Sequence, residues 1–291
     1  MRPRSIEAIQ QGLPTRDGNG VPLLRLVPWA GADGSTAFRL MDPFLLMDHF
    51  GPMVLSPGSD AGFPPHPHKG FQTLTYLIQG AFRHRDSTGG QGLLRPGGAQ
   101  LMTAGKGIVH EEMPVPEHLE TGGTIEGVQL WINLPRAQKG LSPGYQDIQP
   151  ERLPWQPFPG GRLRNFAGTW LGEDGPVKTP TAVAYAHLEL EPGGGFEHIV
   201  PAGWNASVAV LHGEASAGSS ALEAGQITLF SMEGEGVSLR SAQGASLMLL
   251  AGRPLSEPIA HYGPFVMNTA EEIQLAIHEY QDGVFGRLEP H

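Results

Sequence analysis

Two stretches decide how this chain is read: GFPPHPHKGF, from Gly62 to Phe71, and PGGAQLMTAGKGIVHEE, from Pro96 to Glu112. Each carries polar donors at alternate positions, His66 and His68 in the first, His110 and Glu112 in the second. Residues two apart on an extended strand face the same side. His66 and His68 therefore point one way, and Gln72, Leu74, Tyr76 and Ile78 share their parity. His110 and Glu112 share a face, while Glu111 points opposite, so alternation selects Glu112 as the inward carboxylate. Three neutral imidazoles and one carboxylate converging inside a barrel make a metal site with open positions. Such nitrogen and oxygen donors, without sulfur, suit iron(II), manganese, nickel or zinc. The plainer alternative is surface histidines or a hydrogen-bonded core network. The carboxylate in the second pair, reached across a turn-rich segment at hairpin-scale separation, favours the metal.

Working outward, Gly and Pro number 41 and 27 among 291 residues and are scattered as turn punctuation. Between them lie short apolar or alternating runs: Thr73–Ile78, Val128–Leu134, Val183–Leu190, Ser207–Leu211, Gln226–Phe230 and Ser246–Ala251. Dense turns between short runs predict an all-β protein of sandwich or barrel type. A faint repeat supports duplication of one β domain: LTYLIQG (Leu74–Gly80) is echoed by SVAVLHG (Ser207–Gly213), and LRPGGAQLMTAG (Leu94–Gly105) by LEAGQITLFSMEG (Leu222–Gly234). The expected organisation is a metal-binding domain over 1–140, a Pro- and Gly-rich connector over 141–180, and a second domain over 181–291. Only the far C-terminus reads as helix. Thr269 with Glu272 forms a capping box, Ile273, Ala276, Ile277 and Tyr280 mark one face, and Gly283 stops it.

Several functions are excluded or disfavoured. The net charge of −10 argues against a phosphate-neutralising surface and hence against direct nucleic-acid binding. The absence of Cys removes disulfides, thiolate zinc sites, iron–sulfur clusters and a cysteine nucleophile. No apolar run approaches the ~20 residues of a membrane span, and the N-terminal MRPRSIEAIQQGLP has no signal-peptide core. A cytoplasmic protein is expected. Gly105-Lys106-Gly107 lacks the rest of a phosphate-binding loop. Arg83, His84, Arg85 and Asp86 read as a solvated turn. His49, His118, His187, His212, His261 and His278 have no ligand-like partners nearby and read as structural or surface residues.

The Gly62–Phe71 block, Thr75-Tyr76-Leu77, HRDSTGG at His84–Gly90, the Pro96–Glu112 block, QLWINLP at Gln129–Pro135 and YGPFVMNT at Tyr262–Thr269 together resemble the pirin family of the cupin superfamily. The resemblance spans nearly the whole chain. It implies a bicupin, two cupin β-barrels with a short C-terminal helix. It also implies iron held in the N-terminal barrel by the residues matching His66, His68, His110 and Glu112. Gln72 departs from the acidic residue usual at its place in pirins and reads as an outer donor or cavity wall. In the second half, Glu197 and His198 are adjacent and point to opposite faces, and nothing near Gly236–Arg240 replaces the second pair, so one metal per chain is expected.

The resemblance implies two functions. One is an iron(II)-dependent dioxygenase of the quercetin 2,3-dioxygenase type, acting on a flavonol-like small molecule and O₂ with release of carbon monoxide. Glu112 is then the candidate catalytic acid/base. The other is an iron-binding regulatory protein that docks on a protein partner, a transcription factor or a metabolic enzyme, without turnover.

Overall fold

Turn punctuation by Gly and Pro produces a chain built almost wholly of short antiparallel strands, and the computed structural model describes residues 1–288 of it. By contacts it divides into two compact units. The unit that carries the expected ligands, the ligand-bearing unit, gathers residues 14–24, 46–150 and 256–288; the other gathers Met1–Leu13, Arg25–Leu45 and Glu151–Leu255. Both are cupin-type barrels, and the all-β bicupin architecture is the one the sequence implied. The partition does not follow cuts at 140 and 180. Residues 141–180 are not a plain connector, because Gly144–Ile148 pairs with Ala99–Thr103, and Gly161–Ala167 pairs with Val183–Leu190. The segment 256–288 packs with the ligand-bearing unit, although the expected boundary placed it with the second domain. Residues 289–291 of that expected domain lie outside the described residues.

In the ligand-bearing unit a seven-stranded sheet runs in the order Gly144–Ile148, Ala99–Thr103, Phe71–Gln79, Gly123–Asn133, Phe44–Leu55, Val21–Val27, Leu13–Asp17. A four-stranded sheet runs Phe63–His68, Ile108–Pro114, Phe82–Asp86, Gln91–Leu94. Side chains from both sheets meet in one apolar cluster, with Phe50, Leu77 and Ile125 from the first and Phe82 and Leu94 from the second. Phe50 stacks on Phe82 with ring centroids 5.7 Å apart. Such burial is the main stabilising term for a barrel.

The second unit repeats these pairings. Phe71–Gln79 lies between Ala99–Thr103 and Gly123–Asn133, just as Asn205–Ala217 lies between Gln226–Phe230 and Ala245–Gly252. The strand Phe63–His68 pairs with Ile108–Pro114, and Gly195–Ile199 pairs with Gly236–Arg240. The echoed sequence fragments thus occupy equivalent places, as duplication requires. In this unit Ala186, Leu188, Phe196, Val208, Leu239 and Leu247 form the core.

Among the described residues three α-helices accompany the strands. The C-terminal one spans Ala270–Gln281, with both halves of the Thr269–Glu272 capping box made. Gly34–Met41, capped by Asp33, and Pro116–Thr121 are additional to the expectation. No helix among the described residues is long and apolar enough to cross a membrane.

Candidate metal centre

The site begins with strand register. His66 stands directly opposite His110 across the Phe63–His68 and Ile108–Pro114 pair, and His68 opposite Ile108. Alternation carries His68 to the same side as His66, so three imidazoles crowd one patch of the barrel interior. Ring centroids are 4.8 Å apart for His66–His68, 4.4 Å for His66–His110 and 5.0 Å for His68–His110. Each ring offers a nitrogen within 4.8 Å of one on both others.

The surroundings suit a metal. His68 and His110 are 3% and 1% exposed, and neither ring nitrogen of either makes a hydrogen bond. Buried polar atoms are rarely left so, and one nitrogen from each of these rings together with one from His66 fits a cation as their common partner. Nδ1 of His66 donates to the Pro64 carbonyl at 2.8 Å, leaving Nε2 as the lone-pair nitrogen. Burial first, then repulsion from His66, pushes His68 well below the ordinary imidazole value; the nearby Pro264 backbone opposes this without meeting hydrogen-bond geometry. His110 is pushed down by burial first and then by His66, His68 and His84. Both rings are therefore neutral at pH 7, the form that ligates. Phe71 stacks on Trp131 at 4.2 Å, and both pack against His68 with centroids 5.1 Å away.

Glu112 lies on the same face of its strand as His110 and reaches across to the seven-stranded sheet. Its Oε1 accepts from Thr75 Oγ1 and its Oε2 from Gln129 Nε2, both at 2.9 Å. Trp131 Nε1 in turn donates to Gln129 Oε1 at 3.3 Å. Glu112 does not join the group whose atoms all lie within 4.8 Å of one another, so the structure brings together three of the four expected ligands and leaves the Glu112 carboxylate bonded to Thr75 and Gln129. Glu111 faces away and accepts from Arg85 Nε at 2.5 Å, which raises the Arg85 value.

One parity expectation fails. Gln72, Leu74 and Tyr76 do not share the face of His66 and His68. Lys69-Gly70 is a turn through which the chain leaves the four-stranded sheet and enters the seven-stranded one. Gly70 has φ +91°, a left-handed value that breaks the alternation. Beyond it the odd residues Thr75 and Leu77 face inward, and Gln72 bonds Thr103 Oγ1 at 2.8 Å instead.

The stretch read as a solvated turn also differs. Phe82, His84 and Asp86 are buried, alternating with half-buried Arg83 and Arg85. His84 pairs with Glu112 in register. It accepts from Gln100 Nε2 at 2.5 Å and stacks on Tyr145 at 4.4 Å. Gln100 also donates to Asp147 Oδ1 at 2.6 Å. Burial lowers the His84 value, opposed by Asp147, Glu112 and Asp86, and burial raises that of Tyr145. The two-residue alternation of Phe82–Asp86 was the signal for this interior group.

Comparison with known proteins now bears on this geometry. The pirin family model matches residues 28–132, and the model described as the pirin C-terminal cupin domain matches 185–286. A protein of Pseudomonas aeruginosa named "putative quercetin 2,3-dioxygenase" is 41% identical over 97% of this chain and 98% of its own length. A pirin-like protein of Caulobacter vibrioides is 38% identical over 97% and 99%.

The chain belongs to the pirin family.

A crystal structure titled quercetin 2,3-dioxygenase from Acinetobacter baumannii superposes on this pirin-family chain with a TM-score of 0.93 at 35% identity, covering 99% of this chain and all of that one. In the second barrel of this pirin-family chain, the strand equivalent to Phe63–His68 carries Phe196 in the core and His198 against Trp170, ring centroids 4.2 Å apart. Glu197 is exposed and accepts from Ser238 Oγ. Val237 and Leu239, both core residues, occupy the facing strand.

Proposed function

We propose that this chain is a metal-dependent dioxygenase of the quercetinase type, taking a flavonol-like enol and O₂. His66, His68, His110 and Glu112 would hold the metal, iron(II) first, with nickel, manganese and zinc accepted by the same donors. The observation that carries this is the trio of converging, mostly buried imidazoles whose ring nitrogens on His68 and His110 have no other partner. A bound divalent ion supplies Lewis acidity and a template for the substrate oxygens.

The chain supplies the rest. Three neutral imidazoles and one carboxylate leave a dication with net charge +1, which favours a substrate that has lost its enolic proton. Glu112 is the interior base for that proton. Thr75 and Gln129 each hold one of its carboxylate oxygens and so fix its orientation. Aromatic and apolar walls from Phe71 and Trp131 exclude water beside His68. In the overall reaction both atoms of O₂ enter products, the central ring opens, and one ring carbon leaves as carbon monoxide. The cysteine-free chain suits the reducing cytoplasm, the compartment we assign.

Oxygen uptake with quercetin tests this, using protein loaded anaerobically with iron(II) beside Glu112→Ala. Uptake with carbon monoxide release in the parent, lost in the variant, is expected. One bound iron per chain without uptake would refute the dioxygenase and favour the regulatory reading.

A further inference from the structure

We infer that Lys139 and the C-terminal segment 264–285 are positioning elements of the metal centre: they brace the ligand strands from behind and hold the three imidazoles at binding separation. This rests on the metal-centre reading above.

The brace is continuous. Lys69, which follows His68, donates its N–H to the Pro264 carbonyl at 3.2 Å and accepts at its own carbonyl from Val266 N–H at 3.0 Å. Its ammonium pairs with Glu279 of the C-terminal helix. Gly70, the next residue, abuts Val266 so closely that a Cβ there would lie 1.9 Å from the Val266 oxygen. The other ligand strand is held by the same segment. Val109, next to His110 and facing away from the imidazoles, packs in a cluster with Phe265, Ile273, Ala276 and Phe285. Ser87 Oγ donates to the Phe285 carbonyl at 2.5 Å and accepts from Val109 N–H at 3.1 Å. A Cβ on Gly107, at the start of the His110 strand, would lie 2.3 Å from the Phe285 ring.

Lys139 locks this together. It is 3% exposed, and its ammonium donates to Gly70 O at 2.8 Å, Asn133 Oδ1 at 2.7 Å and Val266 O at 3.0 Å. All three donors are used, on three separate segments: the turn after His68, the end of the strand that carries Gln129 and Trp131, and the C-terminal brace. A buried ammonium is costly, and burial lowers its value to about 8. A methionine of similar length would fill the space without that cost. What only the ammonium supplies is a fixed three-way junction one turn from His68.

The probe is cobalt(II), whose visible spectrum reports both affinity and ligand geometry. Titrations compare the parent with Lys139→Met, Glu279→Gln and Phe285→Ala. His66→Ala tests the underlying site, and Leu247→Ala, in the core of the other unit, controls for stability. Circular dichroism selects a temperature at which each variant is folded. The brace variants are expected to bind cobalt(II) about tenfold or more weakly, the loss typical of outer partners of metal ligands, with a changed spectrum. Leu247→Ala is expected to lose thermal stability but keep affinity and spectrum. Parent-like affinity in the folded brace variants, or equal weakening in Leu247→Ala, would overturn the inference. If Lys139→Met does not fold, the partly exposed Glu279→Gln and Phe285→Ala decide. Unchanged binding in His66→Ala would instead bring down the metal-centre reading, and the inference with it.

Discussion

Adjacent carboxylates Glu111 and Glu112 are each 3% exposed, yet replacing the second alone should cost metal binding as well as stability. In Glu111→Gln the amide oxygen still accepts from Arg85 Nε, but the charge is lost. The Arg85 side chain is 22% exposed and keeps water as a partner. Loss of a charge-assisted bond, discounted for that solvation, costs about 1–2 kcal/mol. That is a fall in Tm of roughly 2–8 °C at about 2–4 °C per kcal/mol. Metal content should stay at the parent level. In Glu112→Gln the new NH₂ can donate to Thr75 Oγ1, whose hydroxyl turns to accept, while the amide oxygen still accepts from Gln129 Nε2. Loss of the charge-assisted bonds costs about 1–3 kcal/mol, a similar Tm loss. Removing the anionic donor proposed for the metal should also weaken metal binding by about 100-fold or more, roughly 2.7 kcal/mol at 1.36 kcal/mol per decade. Elemental analysis after dialysis, paired with thermal unfolding, separates the two effects. Equal metal loss in both variants would refute the assignment of Glu112 to the interior.

Three further outcomes are expected. His68 and His110 have depressed values in the folded state, so their stabilising contribution is full above pH 6.5 and is lost as pH falls, because the unfolded chain takes up protons first. Metal-free parent should lose stability faster than His110→Asn as pH falls below 6.5 in urea titrations, by about 0.7 kcal/mol per pH unit at pH 6.5 and rising toward about 1.4 a unit lower; parallel slopes would contradict this. Gly70→Ala combines a φ of +91° with a Cβ 1.9 Å from Val266 O, and should cost more than about 2 kcal/mol with loss of metal, measured by thermal unfolding and elemental analysis. Chelation of metal present at a hundred times its Kd should remove about 2.7 kcal/mol of stability, and an unchanged Tm in His66→Ala on chelation would localise that effect to the imidazoles.

Much of the fold was legible because turn residues and the capping box act locally. Thr269 and Glu272 defined a helix that the structure reproduces at Ala270–Gln281. The imidazole trio was legible because both histidine-bearing segments are single uninterrupted strands, where period-two parity holds. Parity failed one turn later, at Gly70, because sequence alternation carries no record of a change of sheet. His84 was missed for a related reason: arginines on either side made a buried strand look solvated, and its burial depends on Tyr145 and Gln100, distant in sequence. The brace from 264–285 and the junction at Lys139 depend on long-range pairing that no local pattern announces.

That brace also sets a timetable. Chains emerge from the ribosome N-terminal first, at about 5–20 residues per second. His66, His68, His110 and Glu112 are all synthesised before Val266 and Phe285, the residues that close behind their strands. At that rate roughly ten to thirty seconds pass between synthesis of the four donors and of Phe285. On the proposed bracing, the site reaches full affinity only once Phe285 has been added, and products interrupted before it would bind the metal about tenfold or more weakly.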